Sequence, residues 1–356
     1  MTASALRRHH AGVIAAAERS TDASTMLIAL SAAVSRFVPS AASGWSVTDP
    51  GIILPTWPIH LVNVDFNQGV GYWEREFSVE DRLLFRDLAT RERPVGTLHG
   101  ETAGLLARSS RFREAIASLG YGDELRAVMR ASGTAWGLIE LVRGRDENPF
   151  SDAEVDFVAN LLEPLATLLR ARVMNAPSGA TPAPATPGVL VFTADSTLES
   201  SNDAAASWLR EMPNVPGGPE SLPSPVRAVL AYSHAVARGY QRGPARLRVR
   251  LRSGQWAVVD ASTLRAADVA QATTVVVIAG ATSAEMESIV VSAYGLSRRE
   301  QEVSRLLARG ISTSGIAAEL SLSVFTVRDH IKSLFTKVGV ASRGELVARL
   351  FTGQYR

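Results

Sequence analysis

The stretch LSLSVFTVRDHIKSLFTKVG, residues 320–339, decides the fold of the tail. Ser323 offers a hydroxyl to the backbone N–H groups that follow it, so a helix starts there. Val327, Ile331, Leu334 and Val338 then recur at intervals of four, three and four, which is one apolar face of a helix. Gly339 tolerates the left-handed backbone that ends one. At 100° per residue Phe325, Arg328, Asp329, Lys332 and Thr336 gather on the opposite side, with His330 and Lys337 on a flank. Thr326 and Ser333 complete the polar set on this helix. Lys332 and Lys337 are the only lysines of the chain. Two lysines on one helix beside Arg328 and His330 form the electrostatic footprint of a helix laid against DNA.

Working outward, Ser297 followed by Glu300 is a capping box for an earlier helix. Val303, Leu306 and Leu307 form its apolar side, and Gly310 stops it. Ser312 caps a second helix with Ile316, Ala317 and Leu320 inward. Leu320 to Ser323 leaves room only for a tight turn, which is helix-turn-helix geometry. Ser342 caps a fourth helix, with Leu346, Val347 and Leu350 inward or toward a partner. On the third helix Arg328 and Lys332 suit guanine O6 and N7. Asp329 suits a cytosine amine, and Phe325 a thymine methyl. The flank is left to phosphates. A solvated, mixed-charge helix surface is the plainer reading of these side chains. Four capped helices, a tight turn and a basic stripe together weigh against it.

The runs Leu296-Ser-Arg-Arg-Glu300-Gln-Glu-Val303, Ala308-Arg-Gly310-Ile-Ser312, Ile316-Ala317, Leu320-Ser-Leu-Ser323, Thr326-Val327-Arg328-Asp-His330 and Lys337-Val-Gly339-Val340 resemble the LuxR/FixJ-type helix-turn-helix. The resemblance implies a four-helix domain that reads the major groove of double-stranded DNA with its third helix and pairs subunits through its fourth. Thr313-Ser314-Gly315 departs from the polar-Lys-Glu run usual there, which puts phosphate contacts from the second helix in question. Arg328 replaces the commoner lysine and changes the geometry of that contact.

From Gly295 onward ten Arg or Lys face five Asp or Glu, a net of about +5 in a chain of +2. The basic character is therefore local to the tail. A length of 356 residues suits two or three domains, and 46% hydrophobic residues suffice for real cores. No apolar run approaches the ~18 residues of a membrane helix, and Val13 to Ala17 is too short for a secretory core. These features predict a cytoplasmic protein with no membrane partner. The absence of cysteine removes thiol nucleophiles, iron–sulfur clusters and Cys-zinc sites. The absence of lysine before Lys332 removes an upstream Walker A loop, a lysine Schiff base and a lysine-dependent phospho-receiver. His9 and His10 lack the i, i+4 spacing of a helical metal pair. No catalytic set, metal or cofactor is expected.

Ahead of the tail, helices are predicted over Ala5–Arg19, Ala23–Phe37, Phe77–Arg91 (Leu83, Leu84 and Leu88 inward) and Phe112–Leu119. Another runs from the Ser151 cap to about Met174, with a kink or break at Pro164. Its leucines suit either its own sheet or a dimer seam. Strands are predicted over Ser43–Thr48, Leu61–Phe66, Asp123–Arg130 and Thr134–Arg143, the last two joined by a hairpin at Ala131-Ser-Gly133. Glu124-Leu-Arg-Ala-Val-Met-Arg130, Trp136-Gly-Leu-Ile-Glu-Leu-Val142 and Phe150-Ser151-Asp-Ala-Glu154 resemble the end of a GAF-like domain. That implies an antiparallel sheet with flanking helices and a small-molecule pocket of unspecified ligand. Trp45, Trp57, His60, Tyr72, Trp73, Phe85, His99 and Trp136 are candidate lining residues, though for each one packing or a surface position is the commoner explanation.

Residues 175–187 form a Pro/Ala-rich, semi-rigid linker. Beyond it, strands over Val189–Phe192, Ser196–Glu199, Arg246–Leu251, Gln255–Ala261 and Thr273–Ile278, with a helix begun by Asn202, resemble a PAS-like unit. Its middle helices find no place in the Pro-rich 213–225 stretch, so the unit reads as a dimerising or relaying element without a pocket. Arg246, Arg248 and Arg250 alternate with Leu247, Val249 and Leu251, which predicts a solvated basic strand face.

The fold class is thus multidomain α+β. A GAF-like antiparallel sheet with helices (1–174) precedes the linker, then a smaller PAS-like unit (188–280), a connector (281–294) and an all-α four-helix helix-turn-helix domain (295–356). The function expected is a sequence-specific, dimeric, signal-responsive transcriptional regulator. Its two recognition helices would lie ~34 Å apart on a near-palindromic site. An activator would also need RNA polymerase, and no motif marks that contact. Two alternatives stay open: an enzymatic front domain fused to the tail, and a partner-sequestering regulator that no longer binds DNA.

Overall fold

In the computed structural model the described residues are 3–49, 52–64, 72–175, 184, 186–212, 222–264, 272–282, 285–286, 294–347 and 350. They belong to two compact units, Met1–Gly280 and Ala281–Arg356.

The first unit opens with helices α1 (Ala3–Arg19) and α2 (Ala23–Val34). Strands β1 (Ala42–Asp49) and β2 (Leu54–Val62), helices α3 (Tyr72–Ser78) and α4 (Phe85–Leu88), strand β3 (Val95–Thr97) and the short α5 (Leu98–Glu101) follow. A π-turn at Phe112–Ile116 leads to β4 (Tyr121–Ala131), β5 (Thr134–Gly144) and α6 (Asp152–Asn175). The sheet is antiparallel in the order β2-β1-β5-β4-β3. Its central hairpin turns at Ser132 and Gly133, with φ of 52° and 78°. Two successive left-handed residues match the twist of the strands they join. Helix α6 lies close on the sheet because position 137 has no side chain. A Cβ there would meet Leu169 Cδ2 and Ser46 O at 2.8 Å. Ser151 and Glu154 cap α6 reciprocally, and it runs unbroken through Pro164.

The second half of this unit repeats the topology. Strands β6 (Gly188–Phe192) and β7 (Leu198–Ser201), helices α7 (Asp203–Glu211) and α8 (Ser224–Ala237), then β8 (Ala245–Arg250), β9 (Trp256–Thr263) and β10 (Thr274–Gly280) give an antiparallel sheet in the order β7-β6-β10-β9-β8. Counted from its own first strand, each sheet runs 2-1-5-4-3. Asn202 caps α7 through the Ala205 N–H, as its residue type predicts. The 175–187 linker lies almost wholly outside the described residues.

Several expectations need correction. The strand placed at Leu61–Phe66 is β2, Leu54–Val62; Phe66 lies outside the described residues. The helix over Phe77–Arg91 is two helices, although Leu83, Leu84 and Leu88 are buried as expected. Local side-chain bonds outcompete the helix there. Glu76 accepts the Phe85 N–H at 2.7 Å. Asp81 accepts Ser109 Oγ, Ser110 Oγ and the Arg111 N–H at 2.7–3.0 Å. Helix α2 stops at Val34 rather than Phe37, and β7 starts two residues late. Helix α8 was not foreseen. It is apolar or small on nearly every side and buried along almost its whole length, so no amphipathic period marks it.

The arginine row of β8 is not a solvated face. Arg246 pairs with Asp260 on β9, and Arg250 donates to Val173 O at the end of α6 at 2.7 Å. Burial pushes the Arg250 guanidinium down to about 10. Arg248 donates its N–H and Nη1 to the buried Asp49 of β1, at 2.8 and 3.1 Å. One apolar core continues across the join, from Leu54 and Phe77 to Tyr232, Leu247 and Val249. Phe77 meets Tyr232 edge-on at 5.3 Å between centroids. The two sheets are therefore fastened as one body. Removing one partner of a buried ion pair strands the other charge. Asp49→Ala is expected to lower the urea unfolding free energy of the first unit by about 3 kcal/mol. A loss within ~0.5 kcal/mol, the size of an ordinary surface substitution, would mean the pair does not hold the sheets together.

Candidate functional site

In the second unit Ser297 and Glu300 form the expected capping box of α9 (Arg298–Ala308). Gly310 lies just past it with φ 81°. Ser312 caps α10 (Thr313–Glu319) by accepting the Gly315 N–H at 3.1 Å. The unusual Thr313-Ser314-Gly315 run is thus helical from its first residue. Ser321, with φ 52°, makes the tight turn, and the Leu322 N–H closes it onto Ala317 O at 2.9 Å. Ser323 caps α11 (Val324–Val338), which Gly339 ends at φ 68°. Arg343, opening α12 (Arg343–Val347), donates to Leu307 O and Ile311 O at 3.0 and 2.8 Å. It thereby ties the end of α9 and the loop after it to the start of α12.

Helix α11 divides as its sequence predicts. Val327, Leu334 and Val338 are buried and Ile331 half-buried. Phe325, Arg328, Asp329, Lys332 and Thr336 are exposed, Phe325 at 73%. Thr326 and His330 are half-buried at the boundary. Two candidates are engaged inside the unit instead. Ser333 Oγ donates to Glu300 Oε1 at 2.6 Å, and Lys337 Nζ to Glu300 Oε2 at 2.7 Å and Gly295 O at 3.1 Å. Lys337 remains exposed at the flank where the sequence places it, with two of its three ammonium protons engaged by these acceptors. The sequence showed Glu300 only as a cap, since the Ser333 and Lys337 contacts span more than thirty residues. Burial opposes the Glu300 charge, but its bonds from Lys337, Ser333 and Ser297 outweigh that and bring its pKa down to about 2.

The first unit holds a cavity of about 210 Å³ on the face of the first sheet away from α6. Gly44, Ser46, Glu124, Leu138, Glu140 and Val142 form its floor, and Ile59, Leu61, Trp73, Phe85, Ile116 and Leu119 enclose it. Ser224 and Arg227 of α8 reach it from the second half. Beside the floor, on the same face of the sheet, Arg126, fully buried, donates to Glu124 at 2.8 Å and Glu76 at 2.7 Å, with Glu140 at 3.4 Å. Arg111 holds Glu124 from the other side at 2.5 Å. Burial raises the Glu124 pKa, but the two guanidinium groups overcome it and hold the carboxyl at about 2. Burial also lowers the Arg227 guanidinium, while Glu74 works against that shift.

Of the aromatic and histidine candidates, Trp45, Trp73 and Phe85 belong to the cavity wall. Trp57 packs on the core shared by the two sheets. His60 bonds Ser31 Oγ at 2.9 Å, and the His99 N–H donates to Asp123. Trp136 is buried outside the wall. The side chain of Tyr72 lies outside the described residues. Sequence reading missed Glu124, Glu140 and Arg111, whose only signal is charge inside an apolar strand or beside one. Among the described residues no group of His, Asp or Glu is placed to hold a metal, and no helix is long and apolar enough to cross a membrane.

A compact helical unit with a tight turn before an externally charged helix is a helix-turn-helix. Residues 295–350 match the family described as "Bacterial regulatory proteins, luxR family". The spore germination protein GerE of Bacillus subtilis is 44% identical over 55 residues, 15% of this chain and 74% of GerE. The transcriptional regulatory protein UhpA of Escherichia coli K12 is 45% identical over 58 residues, 16% of this chain and 30% of UhpA. The chain thus spans under a third of UhpA, and the likeness is confined to the tail. A solved structure of E. coli SdiA covers 96% of this chain and 95% of its own at 12% identity, with a TM-score of 0.34, too slight a likeness to carry weight. The chain belongs to the luxR family of bacterial regulatory proteins.

Because the folded-state pKa of Glu300 lies below its ordinary value of 4.5, its stabilisation is complete above about pH 4.5 and is lost as pH falls toward 2. Hydrogen exchange of α9 and α11 amides in the full chain is expected to accelerate over that window. Glu300→Ala is expected to destabilise the second unit by about 2–3 kcal/mol at neutral pH. Unchanged protection in the variant would show that the carboxylate does not tie the two helices.

Proposed function

We propose that the chain is a sequence-specific DNA-binding transcriptional regulator that acts as a homodimer and answers to a small molecule held in the first unit. The observation that carries this reading is the division of α11: a buried Val327/Leu334/Val338 face and, opposite it, an exposed Phe325/Arg328/Asp329/Lys332/Thr336 face. A major groove about 12 Å wide admits such a helix. Arg328 and Lys332 donate to base edges, Asp329 accepts, and Phe325 lies against a methyl. Thr326 and His330 face the backbone of the duplex, and Ser333 and Lys337 support the helix from behind. Family membership and the names of the tail's relatives agree with a regulator.

The proposed domain limits are 1–174, 188–280 and 295–356, joined by 175–187 and 281–294, with the first two acting as one rigid body. The protein acts in the cytoplasm and catalyses no reaction of its own. Ligand binding shifts DNA affinity only by as much as it favours the DNA-competent arrangement of two copies.

Gel-shift titration against a selected site is expected to show Arg328→Ala and Lys332→Ala each weakening binding by about 1–3 kcal/mol while leaving the helical circular dichroism intact. Lys337→Ala is expected to affect stability more than sequence preference. Unaltered affinity in both Arg328 and Lys332 variants would remove α11 as the reader.

A further inference from the structure

Given the reading of α11 as the helix that enters the major groove, two of its exposed side chains ask for more than one unmodified base supplies. Phe325 is a large apolar ring at 73% exposure, and Val324 beside it is exposed at 40%. Together they make an apolar tip at the start of a helix whose outer face is otherwise polar. The apolar group on the floor of the groove is a pyrimidine C5-methyl. Asp329 is exposed one turn beyond Phe325, at the i+4 position on the same face. Among the described residues neither of these two side chains makes a hydrogen bond, ion pair or ring contact. A carboxylate carried toward a polyanion is repelled unless a donor meets it. The donors on the groove floor are the amines of cytosine and adenine.

Unmodified bases offer the two groups apart. Thymine carries the methyl, but the next ring carbon bears O4, an acceptor that opposes Asp329. Cytosine carries the amine and lacks the methyl. The amine of adenine lies between two acceptors, its own N7 and the O4 of the paired thymine. Cytosine methylated at C5 carries both groups on adjacent ring carbons. We infer that α11 reads 5-methylcytosine: Phe325 covers the methyl group, Asp329 accepts from the amine, and the regulator distinguishes methylated from unmethylated copies of its site. The two side chains act as a conjunction. Phe325 alone accepts thymine, and Asp329 alone accepts plain cytosine; only the methylated base satisfies both.

Two random duplex pools, one built with cytosine and one with 5-methylcytosine in its place, are offered to the full-length protein. The selected duplex is then remade with a single methyl group walked through its cytosines, and with thymine at each of those positions, for gel-shift titration. One cytosine in each half-site is expected to bind about fourfold tighter when methylated, the gain from moving one methyl group out of water. Thymine at that position is expected to bind more weakly than 5-methylcytosine. Phe325→Ala is expected to equalise the methylated and unmethylated duplexes, and Asp329→Ala to equalise 5-methylcytosine and thymine. A variant that merely lost its fold would weaken every duplex alike. Native binding that is indifferent to methylation, weakened by it, or tightest with thymine overturns the inference and leaves α11 as the reader. If neither pool returns an enriched sequence, the reading of α11 falls and this inference with it.

Discussion

The buried carboxylate of Glu300 is the constraint on which the geometry of the second unit depends. It closes the N-terminus of α9 through Ser297 and holds α11 through Ser333 and Lys337. A charge at 4% exposure is costly unless its lone pairs are filled, and here donors from two helices fill them. The bonds fix how α11 is rotated about its own axis. With Ser333 and Lys337 turned to α9 and Val327, Leu334 and Val338 in the core, Arg328 and Lys332 have only the outside left to them. The two lysines of the chain are therefore placed differently: both are exposed, but Lys337 is tied to Glu300.

A similar logic governs the first unit. Charged groups are buried there in connected sets, each member satisfying another: Arg126 among Glu76, Glu124 and Glu140, and Asp49 beneath Arg248. Such sets weigh little as net stability but specify one arrangement, because every misfit strands a charge. The Asp49–Arg248 pair specifies how the two sheets meet. The Arg126 set specifies the floor of the cavity and leaves Glu140 facing into it.

Local signals were legible in the sequence and long-range ones were not. Ser297, Ser312, Ser323 and Asn202 marked helix starts correctly, since a cap involves only neighbouring residues. The period of α11 sorted its core from its exposed face. The β4–β5 hairpin was readable from Ser132-Gly133. What failed was whatever depends on distant partners. Arg246, Arg248 and Arg250 alternate as a solvated row would, yet their acceptors are Asp260, Asp49 and Val173 O. Helix α8 carries no period because it is surrounded. The Lys337–Glu300 bond is likewise invisible in the sequence, because its two ends lie 37 residues apart. The common 2-1-5-4-3 order of the two sheets is invisible to residue patterns, because it is a property of connections.

The central claim is that α11 reads a base sequence, and that paired copies read it twice. Selection of bound fragments from a random duplex pool by the full-length protein tests this most directly. A near-palindromic motif is expected, with half-sites about 10 base pairs apart. It should blur at the positions read by residue 332 when Lys332→Ala is used. A pool that returns no enriched sequence from the native protein would contradict the claim.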